Sequence, residues 1–72
     1  MSSFYSIGRD IKSRRSDLRI TQPQLAKIAE VSVNTIYKIE RGQGNPRLSS
    51  LVKLLDVLGL ELGVQVKKLN VD

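Results

Sequence analysis

Residues 21–42, TQPQLAKIAEVSVNTIYKIERG, contain two helix starts and two helix stops in one short run. Thr21 is a preferred N-cap, and Gln24 three positions on can complete a capping box. Pro23 falls in the first turn, where its missing N–H removes no helical bond. Leu25, Ala26, Ile28 and Ala29 supply a short apolar stripe. Glu30-Val31-Ser32 interrupts the stripe, and Ser32 can cap a second helix, Val33 to Arg41, which Gly42 closes as a left-handed stop.

Upstream, Phe4, Ile7, Ile11 and Leu18 recur at helical steps, with Arg9, Lys12, Arg14, Arg15 and Arg19 crowded around them. On the other side, Gln43-Gly44-Asn45-Pro46 is a loop by composition. Leu51, Leu54, Leu55 and Leu58 then predict a helix from about Leu48 to Leu58, ended by Gly59. Beyond it the period changes. Leu60, Leu62, Val64 and Val66 alternate with Glu61, Gly63, Gln65 and Lys67, the pattern of a half-buried strand. A lone strand leaves both edges unpaired, and the economical partner is the same strand of a second copy, antiparallel about a two-fold axis. The competing expectation is a tail whose apolar residues cover the helical core. The expected fold class is all-α: a compact four- to five-helix domain over residues 1–59, with residues 60–72 as a strand or tail that joins two subunits.

Seventy-two residues make one domain. With no cysteine and no histidine, a disulfide framework and the usual zinc ligands are excluded together, and neither metal nor cofactor is expected. No stretch approaches a membrane span and the start lacks the apolar run of a signal peptide, so a cytoplasmic address without membrane contact is expected. Without histidine or cysteine, and without a glycine-rich phosphate loop, the sequence gives almost no support to an enzyme. Gly42-Gln43-Gly44 is a loop breaker, so neither an enzyme nor a small-molecule binder is expected. Twelve Lys/Arg against seven Asp/Glu give a net charge of +5, which favours polyanions, above all nucleic acid.

Two short helices joined by a tight turn and preceded by a basic helix define a helix-turn-helix. On the helix of residues 33–41, Ile36, Ile39 and Glu40 share one side. Asn34, Lys38 and Arg41 cluster opposite, within roughly 60° at about 100° per residue. Tyr37 and Val33 flank them, and that face carries no acid. Asn34 suits the N6/N7 edge of adenine, and Lys38 suits guanine O6/N7 or a phosphate. Val33 can pack on a thymine methyl, and Tyr37 can stack on sugar or bond to phosphate. Val33, Asn34, Tyr37 and Lys38 are therefore the expected base readers. Gln22, Ser32, Thr35, Arg41, Asn45, Arg47 and Arg14 are the expected phosphate contacts.

Thr21-Gln22, Leu25-Ala26, Val31-Ser32, Thr35-Ile36, Ile39-Glu40-Arg41-Gly42, Asn45-Pro46 and Leu58-Gly59, with DIKSRR upstream, carry a resemblance. Over about residues 5–62 the chain resembles the Xre/Cro/phage-repressor helix-turn-helix family, with its lambda-repressor-like fold. The resemblance implies that Gln22 touches phosphate while bracing the second helix of the motif, and that Val33, Asn34 and Lys38 touch bases. It also implies an ion pair between Arg15 and Glu40. Two positions depart from the family: Glu30 stands where glycine is usual, and Arg47 replaces the small polar cap of the last helix. The Leu60-to-Val66 pattern resembles HipB-type antitoxins, in which two such strands form an intersubunit sheet. That implies a homodimeric repressor on a roughly palindromic operator, with a cognate toxin as a further partner. The alternative class is a protein-interaction module that keeps the fold and holds a protein instead of DNA.

Overall fold

A computed structural model describes residues 4–64, with Phe4 and Tyr5 described by their backbone alone. Four helices occupy them: α1 (Phe4–Asp17), α2 (Gln22–Ala29), α3 (Val33–Glu40) and α4 (Leu48–Leu58). The local chemistry of each start is visible. Thr21 Oγ1 accepts from the Gln24 N–H at 3.2 Å, and the Gln24 side chain accepts from the Thr21 N–H at 2.8 Å, a complete capping box. Ser32 Oγ accepts from the Thr35 N–H at 3.0 Å. Arg47 occupies the N-cap position of α4 without a side-chain cap.

The helices close around one core. Ile11, Leu25, Ile36, Ile39, Leu54 and Leu58 are all below 2% exposed. α1 and α2 each pack against both α3 and α4. Gly8 lets α1 approach α3 backbone to backbone: a Cβ there would overlap the Ile39 carbonyl oxygen and lie 3.0 Å from its carbon.

The expected pattern differs from the structure at three places. Leu18 lies beyond the end of α1 and is 41% exposed, because Arg19 turns the chain with φ 57° and delivers Ile20 to the core instead. α3 ends at Glu40, one residue short of the expected span, and Arg41 caps it at φ −92°, ψ 1°. Ile28, counted in the apolar stripe of α2, is solvent-facing.

Leu60 packs partly buried against the core, whereas Leu62 and Val64 are exposed. Among the described residues none is paired in a β-ladder, and Val66 lies outside the described residues. Pairing at Leu60, Leu62 and Val64 was expected between two copies rather than within one chain.

The turn between α2 and α3 is built on Glu30 at φ 58°, ψ 44°, with its N–H returned to the Ala26 carbonyl. A side chain in that left-handed region costs about 1–2 kcal/mol, and glycine avoids the penalty. Glu30→Gly is expected to raise stability by about 1 kcal/mol, a rise in melting temperature of roughly 4–8 °C for a domain of this size. Thermal unfolding followed by circular dichroism measures it, and a lowered melting temperature contradicts the assignment.

Candidate nucleic-acid interface

α3 divides cleanly into two faces. Ile36, Ile39 and Glu40 are buried, while Val33, Asn34, Tyr37 and Lys38 are exposed, with exposed Arg41 just beyond the last turn. The Arg41 guanidinium lies over the Tyr37 ring, 5.3 Å from its centroid. The outward surface thus offers an amide, an ammonium, a guanidinium and an apolar branch, with no carboxylate among them. That set can donate to base edges and phosphates alike.

The buried carboxylate fixes this helix in place. Arg15 Nε donates to Glu40 Oε2 at 2.8 Å and Arg15 Nη2 to Oε1 at 3.0 Å, a bidentate pair linking α1 to α3. The remaining Arg15 nitrogen donates to the Ile20 carbonyl at 2.9 Å. Gln22, the first residue of α2, donates its amide to Glu40 Oε1 at 3.0 Å. The hydrogen bond to Glu40 holds the Arg15 guanidinium above its ordinary range, burial opposing and the Glu40 charge assisting. Arg15 therefore stays charged at every pH the protein meets. Among the described residues no buried side-chain polar atom lacks a partner.

A helix-turn-helix family profile matches residues 11–65. The chain belongs to the helix-turn-helix family. Among the relatives of this helix-turn-helix chain, an uncharacterised HTH-type transcriptional regulator of Haemophilus influenzae is 39% identical over 56 residues. That alignment takes in 78% of this chain and 57% of the relative. The immunity repressor protein of Bacillus phage phi105 is 36% identical over 61 residues, 85% of this chain and 42% of the repressor. The chain thus spans about half the length of these curated relatives. In three dimensions it resembles the restriction-modification controller protein C.AhdI of Aeromonas hydrophila. That match has a TM-score of 0.74 and 26% identity, and it covers 81% of this chain and 88% of that one.

The other expected phosphate contacts divide into two groups. Ser32 and Thr35 sit at the α3 N-terminus with their hydroxyls 2.7 Å apart. Thr35, Lys38 and Asn45 line one shallow depression together with Gly44 and Pro46, and exposed Arg47 follows at the start of α4. Arg14 is the exception. Its Nε donates to the Leu58 carbonyl at 2.8 Å, closing the C-terminus of α4 in a groove lined by α1, Leu55 of α4 and residues 60–63, with no residue of α3. A guanidinium on a helix C-terminus meets both the unpaired carbonyls and the negative end of the dipole. The structure does not bring Arg14 to the α3 face.

Gly8 is not among the residues expected from sequence to matter. Its signal was a glycine between Ile7 and Ile11 in a helical pattern, which costs a helix about 1 kcal/mol unless close packing requires it.

Proposed function

We propose that the chain is a sequence-specific regulator of transcription that binds double-stranded DNA as a homodimer and represses by occupancy. The observation that carries this is the acid-free outer face of α3, presented by a helix whose inner face is locked by Arg15, Gln22 and Glu40. α3 enters the major groove. Val33, Asn34 and Lys38 meet base edges, and Tyr37 stands beside them. Gln22, Ser32, Thr35, Arg41, Asn45 and Arg47 meet the phosphates around the groove, while Arg14 is committed to α4. The phage immunity repressor and the restriction-modification controller among its relatives support a regulatory role.

One α3 reads only a few base pairs, so two copies are needed, about one helical turn or 10 bp apart on one face of the duplex. The alternating Leu60, Leu62, Val64 and Val66 support pairing of the C-terminal segments as the device that joins them. The resemblance of that segment to HipB-type antitoxins supports a finer role, in which the dimer also neutralises a toxin. Isolation of a neighbouring toxin gene whose product binds the dimer is the expected support; a gene product that leaves the dimer unbound contradicts it.

Selection of duplexes from a randomised library tests the function. The expected result is an enriched, roughly palindromic site, and recovery of unenriched DNA contradicts the proposal. Two variants sharpen it. Arg41→Ala is expected to weaken binding to every duplex and to lower the slope of log K against log salt by about 1. Truncation after Leu60 is expected to give a monomer by sedimentation; a persisting dimer contradicts the C-terminal pairing.

A further inference from the structure

We propose that the ring of Tyr37 is a platform that holds the Arg41 guanidinium, so that Tyr37 acts in DNA binding as a positioning residue through its ring face and not through its hydroxyl. This rests on the DNA-binding proposal and assigns a part to Tyr37, which that proposal leaves undefined. The two residues are four apart, so their side chains share one edge of the α3 surface. Arg41, however, has left the helix. Its backbone lies at φ −92°, ψ 1°, its N–H is shared between the Tyr37 and Lys38 carbonyls at 3.3 and 3.2 Å, and Gly42 follows at φ 69°. The Gly42 and Gln43 N–H groups close that helix end on the Ile39 and Lys38 carbonyls, but these backbone bonds do not fix the direction of the long Arg41 side chain.

Two features give it one. The guanidinium sits 5.3 Å from the Tyr37 centroid, within the range of cation–π attraction. The neighbouring carboxylate of Glu40 is buried and occupied by Arg15 and Gln22, so it does not draw Arg41 inward. Among the described residues Arg41 has no ion-pair partner. Its charge is thus held over the exposed Tyr37 ring before any DNA arrives. Ordering a long side chain in advance lowers what binding must supply. The ring serves this role with its face, which leaves the hydroxyl dispensable.

The test compares Tyr37→Phe and Tyr37→Leu in the wild-type and Arg41→Ala backgrounds, using the best duplex selected by the wild-type chain. Tyr37 is 47% exposed, so circular dichroism should show all four variants folded. Tyr37→Phe is expected to bind like wild type. Tyr37→Leu is expected to lose a factor of roughly two to five, the scale of an exposed cation–π contact. In the Arg41→Ala background the same Leu substitution is expected to change nothing further. In the free protein, the Arg41 side-chain proton resonances should carry a ring-current shift that Tyr37→Leu abolishes and Tyr37→Phe keeps.

Equal losses for Phe and Leu overturn the platform in favour of a hydroxyl contact. An undiminished Leu effect without Arg41 overturns it in favour of direct contact between ring and DNA. Leu binding like wild type, or a missing ring-current shift, overturns it outright. A wild-type chain that binds no duplex overturns the DNA-binding proposal itself, and this one with it.

Discussion

Arg15→Ala is expected to lower stability by about 3–5 kcal/mol, the scale of leaving a buried charge without its partner. The Glu40 side chain is 3% exposed, and after the substitution it retains only the Gln22 amide. The reciprocal change is milder. Arg15 is 16% exposed, so in Glu40→Ala its guanidinium reaches water and keeps the Ile20 carbonyl, and a loss near the lower end, about 3 kcal/mol, is expected. The natural scale for comparison is a total stability of about 5–15 kcal/mol, with short chains toward the bottom of it. For a chain near the bottom of that range, Arg15→Ala therefore leaves only about 0–2 kcal/mol of stability. Urea unfolding of both variants measures the difference, and equal losses contradict an argument based on burial. Replacing both partners by apolar residues of similar volume is expected to recover most of the stability, because neither charge is then stranded.

Gly8→Ala is the second large effect, and here two terms oppose each other. Alanine improves the intrinsic helix propensity of α1 by about 1 kcal/mol. Against that, its methyl group would overlap the Ile39 carbonyl oxygen, a backbone atom that cannot rotate aside. Relief requires α1 and α3 to separate, and overpacking of this kind costs about 1–3 kcal/mol or more. Because the overlapped atom is backbone, the cost lies at the upper end of that range, about 3 kcal/mol, for a net loss of about 2 kcal/mol and a fall in melting temperature of roughly 8–16 °C. The same separation would lengthen the Arg15–Glu40 bonds, which cross between these two helices. A melting temperature at or above that of the unchanged chain contradicts the backbone contact.

What could be read in the sequence is what local chemistry specifies. The Thr21 capping box, the Ser32 cap and the span of α4 follow from residue types at fixed offsets, and all appear in the structure. The left-handed turn at Glu30 could be anticipated because the related family keeps glycine there. Leu18 and Ile20 show the limit. Arg19 carries no residue-type signal for positive φ, so the helical period ran past the true end of α1 to Leu18 and passed over Ile20. Arg14 shows another. A basic residue on a basic helix looks like a phosphate contact until the C-terminus of α4 is found beside it, and which helix end meets which side chain is a tertiary fact. Arg15 and Glu40 came together in expectation only through the family resemblance, since 25 residues separate them. Gly8 is the same case in the backbone: its spacing hinted at close packing but could not name the Ile39 carbonyl.

The proposed function requires the outer face of α3 to read base sequence. Site selection with the unchanged chain, set beside an Asn34→Ala/Lys38→Ala double variant, tests it most directly. Both side chains are exposed and neither supports the core, so the variant should fold normally. The expected result is a variant that still binds mixed-sequence DNA through phosphates but loses discrimination at the base positions facing those side chains. Each well-made base contact removed should cost about 1–3 kcal/mol of preference. A double variant that enriches the same site with the same discrimination would contradict the claim.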